Sequence, residues 1–581
     1  MIRSLDQLPA GRALDTAICI IGAGAAGITL ACELEECGVS VTLLEAGGLH
    51  IDPVASDEYY RGTATPPHPN PSEFRRVGFG GTTKIWGGRC VPFDPIDFER
   101  RDYISESGWP IGYEEVARYY PRALEYCDAG AFDFSATGSL SRNARQTPLL
   151  PGLRANNCLI ADRIERYSLP TDFGTRYRRR IARSSTVLVL THARCLALHR
   201  SAGAPGLESV TIADRTGNRH RLRAGVFVLA TGGIEVTRLL LQSDREGPGL
   251  GNHSDIVGRF YACHFENILA RLVPLHGTVP FDFERTNDGV YCRRKLLLTE
   301  EAQRRHRLLN TAFRLHFPTY SDAAHGNSVL SAIYLAKSLL IPEYRNILRH
   351  GSETSANSPA REHLENILRG VPELARFAFR WLLLRNLSTR KLPYTLVSNR
   401  DGTFPLEFNC EQTPSASNRI KLINDVDRHG VARVHVEWRL SEGDADAAYR
   451  AILLLRDVLR DYSACNLEFD ENTIRRAIGR SPPLGGHHIG TTRMAASEKQ
   501  GVVDTHCALF EVPNLFVASS SVFCTSSHAN PTLTIVALAL RLADYLKRDL
   551  TARTTILHSR GETPSLAAQG PQKPRVAARD T

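Results

Sequence analysis

The apolar and polar positions are patterned most sharply near the N-terminus. From Thr16 the chain runs "TAICIIGAGAAGITLACELEECGVSVTLLEAGG": an apolar run, a glycine turn, a helix-length stretch and a second apolar run. Short apolar runs bounded by glycines mark buried strands, so the pattern predicts strand, tight turn, helix, strand. "STVLVLTHARCLALHR" and "SVTIADRTGNRHRLRAGVFVLATGG" predict a further run of strands that ends in another glycine turn. Residues 72–100 are glycine-rich and irregular. A helix is predicted from Pro372, "PELARFAFRWLLLRN", with proline in its first turn. Its arginines stand among Phe377, Trp381 and Leu384, a pattern that suits either a membrane surface or, more usually, the chain's own core. The last predicted helix is "NPTLTIVALALRLADYLKRDL"; beyond Thr551 the composition is that of a disordered tail. No internal repeat is visible.

Composition adds bounds rather than identity. A chain of 581 residues exceeds one hydrophobic core and implies two domains. With 42% hydrophobic and 23% charged residues it reads as an ordinary globular protein. The net charge of +9 raises the question of nucleic acid. Its densest cluster, "RYRRRIAR" (Arg176 to Arg183), lacks the repeated basic and aromatic interleaving of a binding surface and reads as a solvated basic surface, so no nucleic-acid partner is expected. Thirteen scattered cysteines without a CxxC fit reduced thiols and a cytoplasmic location. The N-terminal residues show no secretory pattern, and no apolar run reaches about 20 residues.

Chemistry is suggested at two places. Gly22, Gly24 and Gly27 form GxGxxG between predicted strand and helix, and Glu45 closes the next strand. Such glycines let backbone N–H groups approach a pyrophosphate at a helix N-terminus, and the acid can accept both ribose hydroxyls. A return to "VFVLATGGIEVTRLLL" (Val226 to Leu241) favours FAD over NAD. The second place is "GGHHIGTTRM", with His487 and His488 adjacent. Neighbouring side chains diverge, so at most one of them acts in a small site. No HxxxH or cysteine partner lies near, so no metal is expected.

"GGHHIGTTRM", the following "VVD" and "NLFVASSSVFCTSSHANPTLTIVALALRLADYL" resemble the C-terminal signature of the glucose–methanol–choline (GMC) oxidoreductases. "IIGAGAAG…LLEAGG" and "GFGGTTKIWGGRCVPFDPIDFE" match the same family in the same order, with details similar to pyranose oxidase and bacterial sugar dehydrogenases. The resemblance implies an α/β fold: a Rossmann-like FAD domain plus a substrate domain with a mostly antiparallel sheet and helices. The FAD domain would hold residues 1–264, with substrate-domain segments between about 101 and 183. The substrate domain would hold 265–484, the catalytic return to the FAD domain 485–551, and the tail 552–581.

The family register, set by Gly490 and Thr491, selects His487 as the base that deprotonates an alcohol. Asn530 becomes its partner, and His488 and His528 fall off register. Asn530 also has a structural reading, as N-cap of the last helix ahead of Pro531. The implied cofactor residues are Gly22, Gly24, Ala25, Ala26, Gly27, Glu45, Gly81, Thr82, Trp86, Gly87, Cys195, Ala230, Thr231, Gly232, Ser519, Ser520 and Asn530. Ile85 stands where some members carry a flavin-linking histidine, which implies non-covalent FAD. Ser519, Cys524 and Ala495 depart from the commoner family residues. The implied activity is oxidation of a CH–OH group of a sugar, glycoside or polyol, with O₂, a quinone or a redox protein as acceptor. Two alternatives stay open: oxidation of a hydrophobic or biosynthetic alcohol near a membrane, and a flavin-binding interaction protein without turnover.

Overall fold

The computed structural model describes residues 1–559 apart from 10, 12, 170, 202, 204, 245, 246, 337–357, 395, 398 and 400. Its first core is a nine-stranded sheet. Six strands of this sheet are numbered here: β1 Ile2–Ser4, β2 Ala13–Ile21, β3 Val41–Leu44, β4 Val187–Thr191, β5 Arg219–Leu229 and β6 Val512–Val517. They lie in the order β1, β4, β3, β2, β5, β6, every neighbouring pair parallel. Helix α1 (Ala25–Leu34) connects β2 to β3, as the N-terminal pattern predicts. Sequence-distant strands thus meet: β2 pairs on one side with β3 and on the other with β5, which pairs with β6. Residues Ile18, Cys19 and Ile20 of β2 are fully buried, which explains their unbroken apolar run.

The second sheet has eight strands, all antiparallel. Across it run Cys465–Glu468, Phe265–Pro274, Phe404–Cys410, Thr311–Leu315, Tyr291–Leu298, Leu159–Tyr167 and Arg89–Cys90. The expected α/β architecture, a nucleotide-type sheet plus a mostly antiparallel sheet with helices, is the observed one; three outer strands of the first sheet pair antiparallel, and a small three-stranded sheet is added. Helix α2 (Phe173–Arg183) carries the basic cluster; Tyr177 and Ile181 face inward, and most of its arginines face solvent.

The predicted helix near Pro372 forms as α4 (Val371–Trp381), preceded by α3 (Ala360–Arg369) and followed by a π turn, Leu382–Leu387. Its packing differs from the usual expectation. Trp381 and Leu384 pack on the protein, but α4 buries no residue fully. The last helix, α5, spans Thr532–Ser559 and so continues past Thr551. The remainder of the expected tail, 560–581, lies outside the described residues.

None of the helices is long and apolar enough to cross a membrane, among the described residues. All thirteen cysteines are free thiols.

Candidate active site

The two sheets meet at a cavity of about 710 Å³. That size lies within the range of ~300–1,000 Å³ usual for ligand pockets. The glycine turn after β2 opens onto it. Gly22, with φ of +105°, lets the chain turn so closely that an added Cβ would sit 2.7 Å from the Ala230 carbonyl oxygen. Gly24 caps α1 without a side-chain hydrogen bond, lines the cavity and has no atom within 4 Å of an added Cβ. The first N–H groups of a helix have no intrahelical partner, and no side chain caps them here. Gly27 does something different. It does not line the cavity; its Cβ would lie 1.9 Å from the Gly22 carbonyl oxygen. Its place is helix-to-strand packing, a correction to its expected cofactor contact.

The other expected cofactor residues do line the cavity: Ala25, Ala26, Glu45, Gly81, Thr82, Trp86, Gly87, Cys195, Ala230, Thr231, Gly232, Ser519, Ser520 and Asn530. Gly81 passes close to Gly24, 3.2 Å from its Cα by the added-Cβ measure, and Gly80 N–H donates to the Ala23 carbonyl at 2.8 Å. The irregular stretch 72–100 therefore closes over the crevice. Glu45 accepts from the N–H groups of Gly47, Gly78 and Ala23 at 2.8, 3.0 and 3.3 Å. Burial still raises its carboxyl above the ordinary range. Trp86 donates its indole N–H to the Thr171 carbonyl at 2.9 Å. Burial pushes the Cys195 thiol up to about 12, so it is an apolar wall rather than a thiolate.

The departures from the commoner family residues are absorbed locally. Ser519 accepts from Ser521 N–H at 3.1 Å and starts a short helical turn. Cys524 donates to the Met494 carbonyl at 3.1 Å. Ala495 is buried and pairs by its N–H with Val503.

On the opposite wall stands His487, 465 positions after Gly22, in the same cavity. Its hydrogen bonds define its tautomer. His264 Nε2 lies 2.9 Å from the Ser526 carbonyl oxygen, which can only accept, so the proton of His264 is on Nε2. His264 Nδ1 is then an acceptor, and His487 Nδ1–H donates to it at 2.6 Å. The lone pair of His487 is left on Nε2, where Asn530 Nδ2–H donates at 3.1 Å. Burial, then the neighbouring His264, holds His487 well below the usual imidazole range. Burial also pushes His264 down to about 4. Both rings are neutral near pH 7.

Asn530 is committed to His487, not to capping: its Oδ1 is buried without a partner, and α5 begins two residues later, at Thr532. His488 also lines the cavity, but its ring is held elsewhere, donating Nε2–H to the Gly485 carbonyl at 2.8 Å and stacking on Tyr261. His528 is buried against Asp94 at 3.2 Å.

The sequence reading missed His264, which sits in "YACHFEN" without any motif, and the polar far wall. That wall includes Arg89, Tyr167, Glu266, His316, Tyr394 and Glu407. Behind it, Arg314 pairs with both Glu165 and Glu407, and Arg89 stands 3.5 Å from Glu165. Glu266 makes no ion pair among the described residues, although Arg314 and Arg89 act on it from farther off; its Oε2 accepts from Asn409 Nδ2 at 3.4 Å. Burial and Glu407 raise its carboxyl above the ordinary range.

FAD fits the residues present. Thr231 Oγ1 and Asn530 Oδ1 are buried polar atoms of the cavity wall that lack partners, and the uncapped start of α1 adds donors suited to a diphosphate. No group of side chains suited to a metal occurs among the described residues.

Residues 414–539 match the family model described as GMC oxidoreductase. The chain is 26% identical to 2-methyl-1,2-propanediol dehydrogenase of Mycolicibacterium austroafricanum, over 92% of this chain and 95% of that protein. It is 24% identical to paromamine 6'-oxidase of Streptomyces fradiae, over 93% and 92%. Among solved structures, a fungal aryl-alcohol oxidase shares the fold with a TM-score of 0.53 at 13% identity, over 92% of this chain and 99% of that one. The chain is thus similar through residues 414–539 to the GMC oxidoreductases, and over more than nine-tenths of its length to proteins named as a dehydrogenase and an oxidase.

Proposed function

We propose that this enzyme oxidises an alcohol group of a sugar, glycoside or similar polyol, with His487 as the base. The observation that carries the reading is one cavity containing both the N-terminal glycine turn and the unprotonated Nε2 of His487. Bound FAD, non-covalent because no histidine stands at Ile85, supplies a two-electron acceptor for the hydrogen on the carbinol carbon. Gly24, the start of α1, Glu45, Thr231 and Ser519 would hold it.

The protein's own part is positioning and proton removal. A neutral imidazole accepts the hydroxyl proton at Nε2, while His264 fixes the ring through Nδ1. Asn530 Nδ2–H holds that lone pair until the substrate hydroxyl displaces it; the amide then turns to the substrate oxygen, and its Oδ1 has no protein partner. The polar wall of Arg89, Tyr167, Glu266, Tyr394 and Glu407 supports a polyhydroxylated substrate over a plain hydrocarbon alcohol. The names of the relatives, a diol dehydrogenase and a paromamine oxidase, point the same way. An anaerobic panel of alcohols, diols, sugars and glycosides, read by bleaching of flavin absorbance, tests the proposal. Bleaching by polyols supports it, and failure of every member to bleach would leave a flavin-binding protein without turnover. Admission of air then separates an oxidase from a dehydrogenase.

The hydrogen-bond string adds a pH prediction. Protonated His487 cannot act as base, and its depressed pKa means protonation occurs only well below pH 6.5. The rate of substrate oxidation should therefore hold its plateau through pH 6.5, with its acid limb lower. His264→Ala removes the acceptor that fixes the tautomer and one cause of the depression. It should cost about 10–100-fold in kcat, the equivalent of one strong hydrogen bond, and move the acid limb upward. His264→Gln, which can still accept, should restore part of the rate. A pH profile unchanged by His264→Ala would remove that residue from the positioning role.

A further inference from the structure

Helices α3 and α4 and the π turn that follows form a ridge that the proposed oxidation does not use. Helix α3 buries only His363 and Asn366, and neither α4 nor the π turn buries a residue. The inward side has partners: Trp381 and Leu384 pack on a cluster with Tyr167, Tyr291 and Tyr394, and Phe377 stacks on Trp381. The outward side presents Leu364, Leu368, Val371, Phe379, Leu383 and Leu387, with Leu368 75% exposed, Leu387 70% and Phe379 65%. With Leu382, seven of the thirteen exposed large hydrophobic residues among those described fall between 364 and 387. Single exposed apolar residues are ordinary, but such a concentration marks a contact surface.

The charge around the ridge indicates what it contacts. Between 360 and 391 there are seven basic and three acidic residues. Glu365 takes Arg361 and Arg369, and Asp282 takes Arg380, while Arg376 has no carboxylate partner among the described residues. Apolar side chains at the centre with arginines beside them suit an interface of acyl chains and anionic headgroups. A second copy of the chain would bring the same arginines against each other and suits the surface less well.

We infer that the ridge of α3, α4 and the π turn docks this enzyme on an anionic lipid surface as a peripheral, non-spanning contact. The ridge is continuous with the active-site cavity. Arg385 of the π turn lines that cavity and donates to the carbonyls of Leu392 and Pro393 at 2.6 and 3.0 Å; Pro393 and Tyr394 line it too. Docking therefore brings a wall of the cavity next to the bilayer.

The test is co-sedimentation of the FAD-loaded protein with phosphatidylcholine vesicles, with and without phosphatidylglycerol. The wild type should pellet with the vesicles containing phosphatidylglycerol, and less so as salt rises. Leu368→Ser, Phe379→Ser and Leu387→Ser together should weaken that binding at least about a hundredfold, since each removes an inserted apolar side chain. Arg376→Glu should weaken it at low salt. Flavin absorbance and melting temperature should be unchanged in both variants, because none of the four side chains is buried. Wild-type protein that stays in the supernatant, or a triple variant that binds as the wild type does, overturns the proposal. So does a solution dimer that the triple variant abolishes when vesicles bind neither protein.

Discussion

His487→Ala should lower the rate of substrate-dependent flavin reduction about 10²–10⁴-fold, with FAD still bound. The size follows from what the substitution removes. His487 Nε2 is the lone pair positioned by two fixed bonds, to His264 at 2.6 Å and to Asn530 at 3.1 Å. Its ring is neutral at cellular pH, and alanine offers no basic atom in its place. FAD retention is expected because the glycine turn, Glu45 and Thr231 lie on separate elements of the cavity wall. Stopped-flow absorbance under anaerobic conditions measures the rate, and the spectrum of the purified variant measures retention. His488→Ala provides the contrast: that ring is tied to the Gly485 carbonyl and to Tyr261, so the chemical step should change little. An equal loss in both variants would mean that the wrong member of the pair has been assigned.

The second large effect separates two glycines of one motif. Gly24→Val should leave the apoprotein folded but weaken FAD binding more than a hundredfold. The added side chain meets no protein atom within 4 Å of its Cβ, so it projects into the space a diphosphate needs. Gly27→Ala should act on the fold itself. Its methyl would stand 1.9 Å from the Gly22 carbonyl, so helix and strand must move apart at a cost of at least about 1–3 kcal/mol. Thermal melts of both apoproteins and a titration with FAD distinguish the two cases. A Gly24→Val protein that binds FAD normally would show that the diphosphate is held elsewhere.

Local features were the legible ones. The unit from β2 to β3 can be read from one stretch because its turn chemistry and its two apolar periods lie within about 30 residues. Placing His487 at the same cavity required matching ordered motifs, since nothing in its own neighbourhood points toward Gly22. His264 escaped altogether: its bond to His487 spans 223 positions, and a lone histidine at the start of a strand carries no spacing signal.

The buried charges escaped for another reason. In "YCRRKLLL" (Tyr291–Leu298) every residue is buried, including Arg293, Arg294 and Lys295. Three consecutive cations would ordinarily be read as solvent-exposed. Their partners, such as Glu284 for Arg294 and Glu165 for Lys295, come from other strands. The helix near Pro372 shows the opposite lesson: its apolar residues were read as a single set, but the fold divides them between an inner and an outer face.

The string from His487 through His264 stops at Ser526, whose carbonyl cannot carry a proton onward. It is a dead end. Along the described hydrogen bonds a proton captured at Nε2 finds no inward exit to bulk water, so it departs by the opening that admits the reactant. Resetting the base for another cycle is thereby tied to vacating the chamber, and exchange of that hydrogen with solvent should keep pace with product departure.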